Sequence, residues 1–302
     1  MAGATGHAVG VDQGGVDRGG VDEGAPGWAA TRVEVTGPAE LVKHRPWSTV
    51  WRLPTAAGPV WLKACPPRTA HEVRLLAALG GWDVPHVLVP LAVDVEAGRV
   101  LLPDGGPTLR DTGTAAARWP AALATYARVQ RATVPHADDL VALGVPDLRP
   151  PALPAVAADL LGRWAPELRG LLPQLTDECA ELAALGPPAA LQHDDLHDGN
   201  VFARGVRPFD WGDACVAHPW TSLLVALDVE DPGPARAAYL AEWAVPADAA
   251  ARERAAALGV RLGRLTRAHS WERALAGRPV PPPQHRDAPA RWLRTLADGS
   301  AG

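Results

Sequence analysis

Lysine is nearly absent from this 302-residue chain: of its 29 basic residues only Lys43 and Lys63 are lysines, and the rest are arginine. With the excess of Ala and Pro, that skew reads as a GC-rich coding bias, and it singles out any lysine kept inside an apolar strand. Basic blocks are also missing and the net charge is −5, which argues against extended contact with nucleic acid. The three cysteines, Cys65, Cys179 and Cys215, form no CxxC pair and suit a reducing compartment better than a disulfide scaffold. No run approaches the ~18 apolar residues of a membrane span, and the N-terminus shows neither a basic leader nor an apolar core. The expectation is a cytoplasmic protein with no membrane partner, either monomer or homodimer. What is present suffices for a core: 47% of residues are hydrophobic, with 30 Gly and 31 Pro as punctuation, so uniform disorder is excluded and two lobes sharing a cleft are within reach.

Residues 1–30 repeat a Val-Asp-x-Gly-Gly unit and read as a disordered Gly-rich tail. Order is expected from Thr31. Short strands are expected at Arg32–Val35 and Ala39–Lys43, and a hairpin from Ser48–Leu53 and Pro59–Ala64, its loop too long for a two-residue turn. Thr69-Ala-His-Glu72 fits a capping box opening a helix that Gly80-Gly81 stops. Further strands are expected within 87–95 and 99–102. From Thr112 on the pattern is helical, with Pro120 in a first turn and helices at 153–164, 169–185, 216–229, 233–244, 247–276 and 288–297.

Helicity breaks at 190–213, where two short apolar strands, 200–203 and 206–209, have polar residues crowding both ends. Asn200 and Asp210 border these strands, so a hairpin brings an amide and a carboxylate together. That inventory suits Mg2+, which takes one or two carboxylates plus substrate phosphates. Asp195, in the preceding loop, is placed to orient a hydroxyl and accept its proton.

His193-Asp-Asp195-Leu-His-Asp-Gly-Asn200-Val followed by Phe209-Asp210-Trp-Gly-Asp213 resembles the catalytic and metal loops of the aminoglycoside phosphotransferase-like enzymes, small-molecule relatives of protein kinases. The resemblance implies an α+β, bilobal protein-kinase-like fold, with a small β-rich nucleotide-binding lobe at 31–104 and a larger, mainly helical catalytic and acceptor-binding lobe at 105–302. It implies Asp195 as catalytic base, Asn200 and Asp210 as Mg2+ ligands, and Lys63 on the third strand held by Glu72 to meet the α/β phosphates of ATP. Leu102 and Asp104 fall in the hinge that would meet the adenine. The implied reaction moves the γ-phosphoryl of ATP, or GTP, to a hydroxyl of a small molecule, aminoglycoside-like or an amino alcohol.

Departures accompany the likeness. Asp194 stands where the family often has Gly, and Asp198 where it often has Pro; these carboxylates would meet cationic substrate groups or face solvent. No glycine-rich loop precedes Lys63, so Ser48 or backbone amides would have to contact the phosphates. The absence of an Ala-Pro-Glu segment after Asp210 counts against a protein kinase; a nucleotide-binding pseudokinase with a regulatory role stays open.

Plainer readings sit beside these. Lys63 could snorkel from a sheet face, and Glu72 could be only a helix cap. His193 and His197, with Cys215 or His218, could form a zinc site, though that leaves Asn200 and Asp210 unexplained. Asp228, Glu230, Asp231, Glu242, Asp248, Glu253 and Glu272 could line an acceptor pocket or simply be solvated. Trp243, Trp271 and Trp292 could stack on substrate or belong to the core.

Overall fold

The computed structural model describes residues 21–244, 248–276 and 283–297. Its first lobe is a five-stranded antiparallel sheet built from β1 (Glu40–Arg45), β2 (Ser48–Thr55), β3 (Gly58–Ala64), β4 (Ala92–Asp94) and β5 (Arg99–Pro103), in the order β1-β2-β3-β5-β4. Alternation along β3 sorts its side chains. Val60 and Leu62 join Trp51, Leu53 and Leu101 in an apolar layer on one face; Lys63, one residue on, points to the other.

That apolar layer needs a cover, and the supposed tail supplies part of it. Helix α1 (Ala25–Ala30) packs Ala25 and Ala29 against the sheet, both fully buried, and the Asp22 carboxylate pairs with Arg99 of β5 at 2.7 Å. Order therefore begins before Thr31; residues 1–20 of the expected tail lie outside the described residues. Arg32–Val35 is not a strand, because the amides of Arg32 and Val33 fold back onto the Ala29 carbonyl as α1 ends.

The β2–β3 turn is shorter than expected. Thr55 pairs with Gly58 across a two-residue turn, with Gly58 at φ +111°, and Pro54 then faces Pro59. The pair next to the closing pair is a non-hydrogen-bonded one in an antiparallel ladder, so neither proline costs a bond there.

Helix α2 (His71–Gly81) covers the other sheet face with Val73 and Leu76, but no capping box forms. The Thr69 hydroxyl donates to the Trp47 carbonyl at 2.8 Å, tying the β1–β2 turn to the start of α2.

The second lobe contains α3 (Ala115–Thr133), α4 (Ala137–Ala142), α5 (Leu153–Trp164), α6 (Leu172–Leu185), α7 (Leu223–Ala226), α8 (Gly233–Ala241), α9 (Ala249–Leu275) and α10 (Ala288–Arg294). Pro120 lies inside α3, beyond its first turn. The helix expected over 216–229 is replaced by three pieces. Strand β6 (Ala190–Gln192) pairs antiparallel with β9 (Cys215–Ala217); a short 3-10 turn, Pro219–Ser222, follows, and then α7. Pairing with β6 on one side and with Pro146 and Leu148 on the other satisfies the backbone of β9, and His218 caps the turn by accepting the Trp220 amide at 3.3 Å. Between β6 and β9 lies the hairpin of β7 (Val201–Phe202) and β8 (Arg207–Pro208). The chain crosses between lobes after β5, and the Leu109 amide donates to the Val201 carbonyl at 2.9 Å.

Candidate active site

Lys63 is the centre of a charge cluster that joins the two lobes. Its Nζ lies 2.7 Å from the Glu72 carboxylate of α2 and 2.5 Å from Asp210 Oδ1. The snorkelling and capping alternatives therefore fall: Lys63 and Glu72 are both buried, and they bind each other. Burial opposes the charge on Lys63, but the Asp210 and Glu72 carboxylates outweigh it and raise its pKa. Asp210 also opposes a burial cost, and Lys63, then Lys43, hold its carboxyl below the usual range.

The β7–β8 hairpin brings Asn200 and Asp210 to the same end. The Phe209 amide donates to the Asn200 carbonyl at 3.0 Å, and Asp210 follows in the left-handed region at φ 64°. The Asn200 side-chain amide donates to the Asp195 backbone carbonyl at 3.0 Å, which fixes the loop and leaves the amide oxygen available. One carboxylate and one amide oxygen are hard donors of the kind Mg2+ takes while phosphates and water complete its shell. The donor set fits that ion. Among the described residues no group of three or more His, Cys, Asp or Glu is placed to hold a metal by itself.

Asp195 has a partner that the sequence did not announce. Arg267 of α9 donates Nη2 to Asp195 Oδ1 at 2.5 Å and Nη1 to Asp213 Oδ2 at 2.8 Å, with its guanidinium 5.7 Å from the Trp271 ring centre. Burial, opposed by Arg267 and reinforced by Asp213 and Asp210, pushes the Asp195 carboxyl up to about 7. A carboxyl pKa near neutrality is what a candidate general base needs.

The histidines serve the loop rather than zinc. The Gly199 amide and Arg110 both donate to His197 Nδ1, at 3.0 and 3.1 Å, which leaves the proton on Nε2, 3.8 Å from Asp195. His193 Nε2 donates to the Phe209 carbonyl at 2.7 Å, and the His193 backbone amide donates to the Tyr126 hydroxyl at 2.8 Å.

Both unusual carboxylates have partners within the protein. Asp198 is gripped by Arg110 at 2.6 and 2.9 Å. Asp194 is buried, accepts the Thr266 hydroxyl at 2.6 Å, and is pushed up to about 7 by that burial. Several acidic residues proposed for an acceptor pocket are also committed: Glu242 to Arg128, Glu253 to Arg236, Glu272 to Arg163, and Asp248 as the cap of α9. Trp243 is core, and Trp292 packs partly buried against it.

Ser48 is buried at the start of β2, opposite Arg45. Leu102 pairs with Trp61 within the sheet, and the Asp104 carboxylate accepts the Trp61 indole N–H at 2.8 Å, so that side chain is tied back to β3. Sequence reasoning also missed Lys43. It lies on β1, near enough for its charge to lower the carboxyl pKa of both Asp195 and Asp210. Its rarity was the available signal: the charges of both lysines act on Asp210.

No curated protein sequence matches the chain. Among solved structures, a choline/ethanolamine kinase family protein from Mesorhizobium loti superposes with a TM-score of 0.60 at 16% identity, covering 88% of this chain and 90% of its own. A macrolide 2′-phosphotransferase from Brachybacterium faecium gives 0.54 at 18%, covering 88% and 96%. An amicoumacin kinase, solved with AMP-PNP and Ca2+, gives 0.57 at 15%, covering 93% and 94%. At these identities the likeness shows the protein-kinase-like fold. The family follows from residues 27–258, which match the model of the phosphotransferase enzyme family, APH; the chain belongs to that family.

Proposed function

We propose that the protein transfers the γ-phosphoryl group of ATP to a hydroxyl of a small molecule, in a Mg2+-dependent reaction. The observation that carries this reading is the convergence of Lys63, Glu72 and Asp210 at the same hairpin end that presents Asn200, with Asp195 in the adjoining loop. Asn200 and Asp210 would hold Mg2+, which neutralises charge on the donor phosphates when bound. Lys63, kept cationic by its two carboxylates, would meet the α/β phosphates, with Lys43 as a further cation from β1.

Asp195 accepts the hydroxyl proton while the acceptor oxygen bonds to the γ-phosphorus and the bond to the β–γ bridging oxygen breaks, releasing ADP. Positioning and electrostatics supply most of such catalysis. Arg267 fixes one Asp195 oxygen and leaves the second for the acceptor. The backbone from Leu102 to Asp104 is the place for the base edge. Phe202, stacked on Phe209 at 3.9 Å and pressed against Gly105, offers an apolar face below it. AMP-PNP and Ca2+ bound to the similar amicoumacin kinase support a nucleotide with a divalent cation.

The test is transfer from γ-labelled ATP to a panel of aminoglycosides, macrolides and amino alcohols, with Asp195→Asn alongside. Loss of a general base typically costs ~10²–10⁴ in rate, so D195N should show a drop of that size. A D195N rate within about twofold of wild type removes the base assignment, and no labelled product with any hydroxyl compound leaves the pseudokinase reading.

A further inference from the structure

Helix α9 has a second working face. Its 3.6-residue period sets Arg267 and Trp271, which serve Asp195, nearly opposite His269, Glu272 and Ala276. The latter three line a cavity of about 410 Å3 together with Arg68, Arg163, Trp164, Arg273 and Leu275. Three guanidinium groups meet there, and their commitments differ. Arg163 is charge-paired, its Nη2 donating to both Asp159 and Glu272, and Glu272 also accepts the Trp164 indole N–H at 2.7 Å. Arg68 is exposed and, among the described residues, has no hydrogen bond or ion pair. Arg273 gives one Nη to the Gly212 carbonyl at 2.9 Å, while its Nε is buried without a partner. Burial, then the Arg273 and Arg163 charges, push His269 down to about 4, so it adds a neutral ring and no charge. Among the described residues, Arg68 and Arg273 therefore bring two guanidinium charges to the cavity with no carboxylate in ion-pair contact.

We propose that this cavity is a second ligand site, which takes a small molecule carrying a phosphoryl group between Arg68 and Arg273. Guanidinium forks match phosphate oxygens bidentately, and two of them arriving from separate elements suit a tetrahedral dianion better than a planar carboxylate, which one fork saturates. The space exceeds what a bare phosphate fills, leaving room for an organic remainder beside Trp164 and Leu275.

Occupancy has a route to the candidate active site. Arg68 lies in the linker between Lys63 of β3 and Glu72 of α2, so a ligand bridging it to Arg273 ties that linker to α9. Arg273 touches the Gly212 carbonyl, two residues past Asp210, and its other Nη lies 3.5 Å from His71, the neighbour of Glu72. The binding claim is independent of the phosphotransferase reading; the effect on turnover rests on it.

Phenyl phosphate, which has no hydroxyl to accept a phosphoryl group, is the probe. Its addition should raise the melting temperature of the wild type and of Asp195→Asn equally, and the rise should fall by at least half in Arg68→Glu, a change at an exposed side chain that leaves the fold intact. Crystals soaked in tungstate should show an anomalous peak between Arg68 and Arg273. A thermal shift undiminished in Arg68→Glu, or tungstate found only beside Lys63, overturns the site. Phenyl phosphate should also change the nucleotide KM or kcat at least twofold in the wild type and not in Arg68→Glu; binding with unchanged kinetics overturns the coupling. Failure of D195N to lose activity would sink the base assignment while leaving the melting result untouched.

Discussion

Arg267 and Asp195 are 72 residues apart in sequence and 2.5 Å apart in space. The guanidinium is buried, shared with Asp213 and stacked on Trp271. The candidate base is therefore held by a helix of the C-terminal third, where the sequence offered no motif.

Replacing Arg267 tests that dependence. Arg267→Ala leaves Asp195 and Asp213 facing each other without a counter-charge, and breaking a buried pair in this way costs about 3–5 kcal/mol. A lower melting temperature and a fall in kcat are expected together. Arg267→Lys restores charge without the two-pronged geometry, so it should recover much of the melting temperature and less of kcat. Full recovery of both by lysine would show that charge alone matters.

Lys43 separates binding from stability. It carries no ion pair among the described residues and lies exposed on β1, so Lys43→Ala should leave the melting temperature within about 1 °C, as surface changes within ±0.5 kcal/mol do. With one fewer cation for the donor phosphates, nucleotide KM should rise several-fold. An unchanged KM would confine phosphate recognition to Lys63.

Asp194 gives a pH signature. Its folded-state carboxyl is raised from 3.8 to about 7 by burial, so the folded protein keeps a proton that the unfolded chain has released across that interval. Its contribution to stability is then greatest below pH 4 and is lost as pH rises toward 7, by up to roughly 1.4 kcal/mol per pH unit, with no further loss above. Asp194→Asn keeps an acceptor for Thr266 and removes the ionisation. Urea unfolding at pH 5 and pH 8 should show the variant gaining on the wild type at the higher pH; equal differences at both would mean that Asp194 does not titrate in this interval.

Gly263 tests the packing of α9. A Cβ there would lie 2.6 Å from the Thr221 carbonyl oxygen, and backbone cannot yield as a flexible side chain would. Gly263→Ala should therefore destabilise by about 1–3 kcal/mol, despite alanine's better helix propensity. Hydrogen exchange should report the loss in the Pro219–Ser222 turn and α9. A stabilised variant would show that the two backbones can part without cost.

Much of the β-rich lobe was legible because its cues are local. Alternation along β2 and β3, the Gly/Pro punctuation of the hairpin, and the apolar spacing of α2 located those elements and put Lys63 on a strand ahead of Glu72. Helix α5 was read at Leu153–Trp164 for the same reason. Misreadings arose where a distant partner decided the outcome. Ala25–Ala30 is ordered by the sheet face it covers; β9 is a strand because β6 lies beside it. Thr69 abandons its own helix for the Trp47 carbonyl, while Glu72 turns to Lys63.

The sequence by itself determined the chemical inventory and its order: a lysine on a strand, a glutamate on the next helix, and Asp195, Asn200 and Asp210 spaced around one short hairpin. Those spacings survive folding because a hairpin brings its own ends together. Only the tertiary structure decided which charges meet. The pairing of Arg267 with Asp195, the burial of Asp194 against Thr266, and the meeting of Arg68 and Arg273 at one cavity depend on how whole helices pack. Residues far apart in the chain become neighbours there through a buried core that no local pattern encodes.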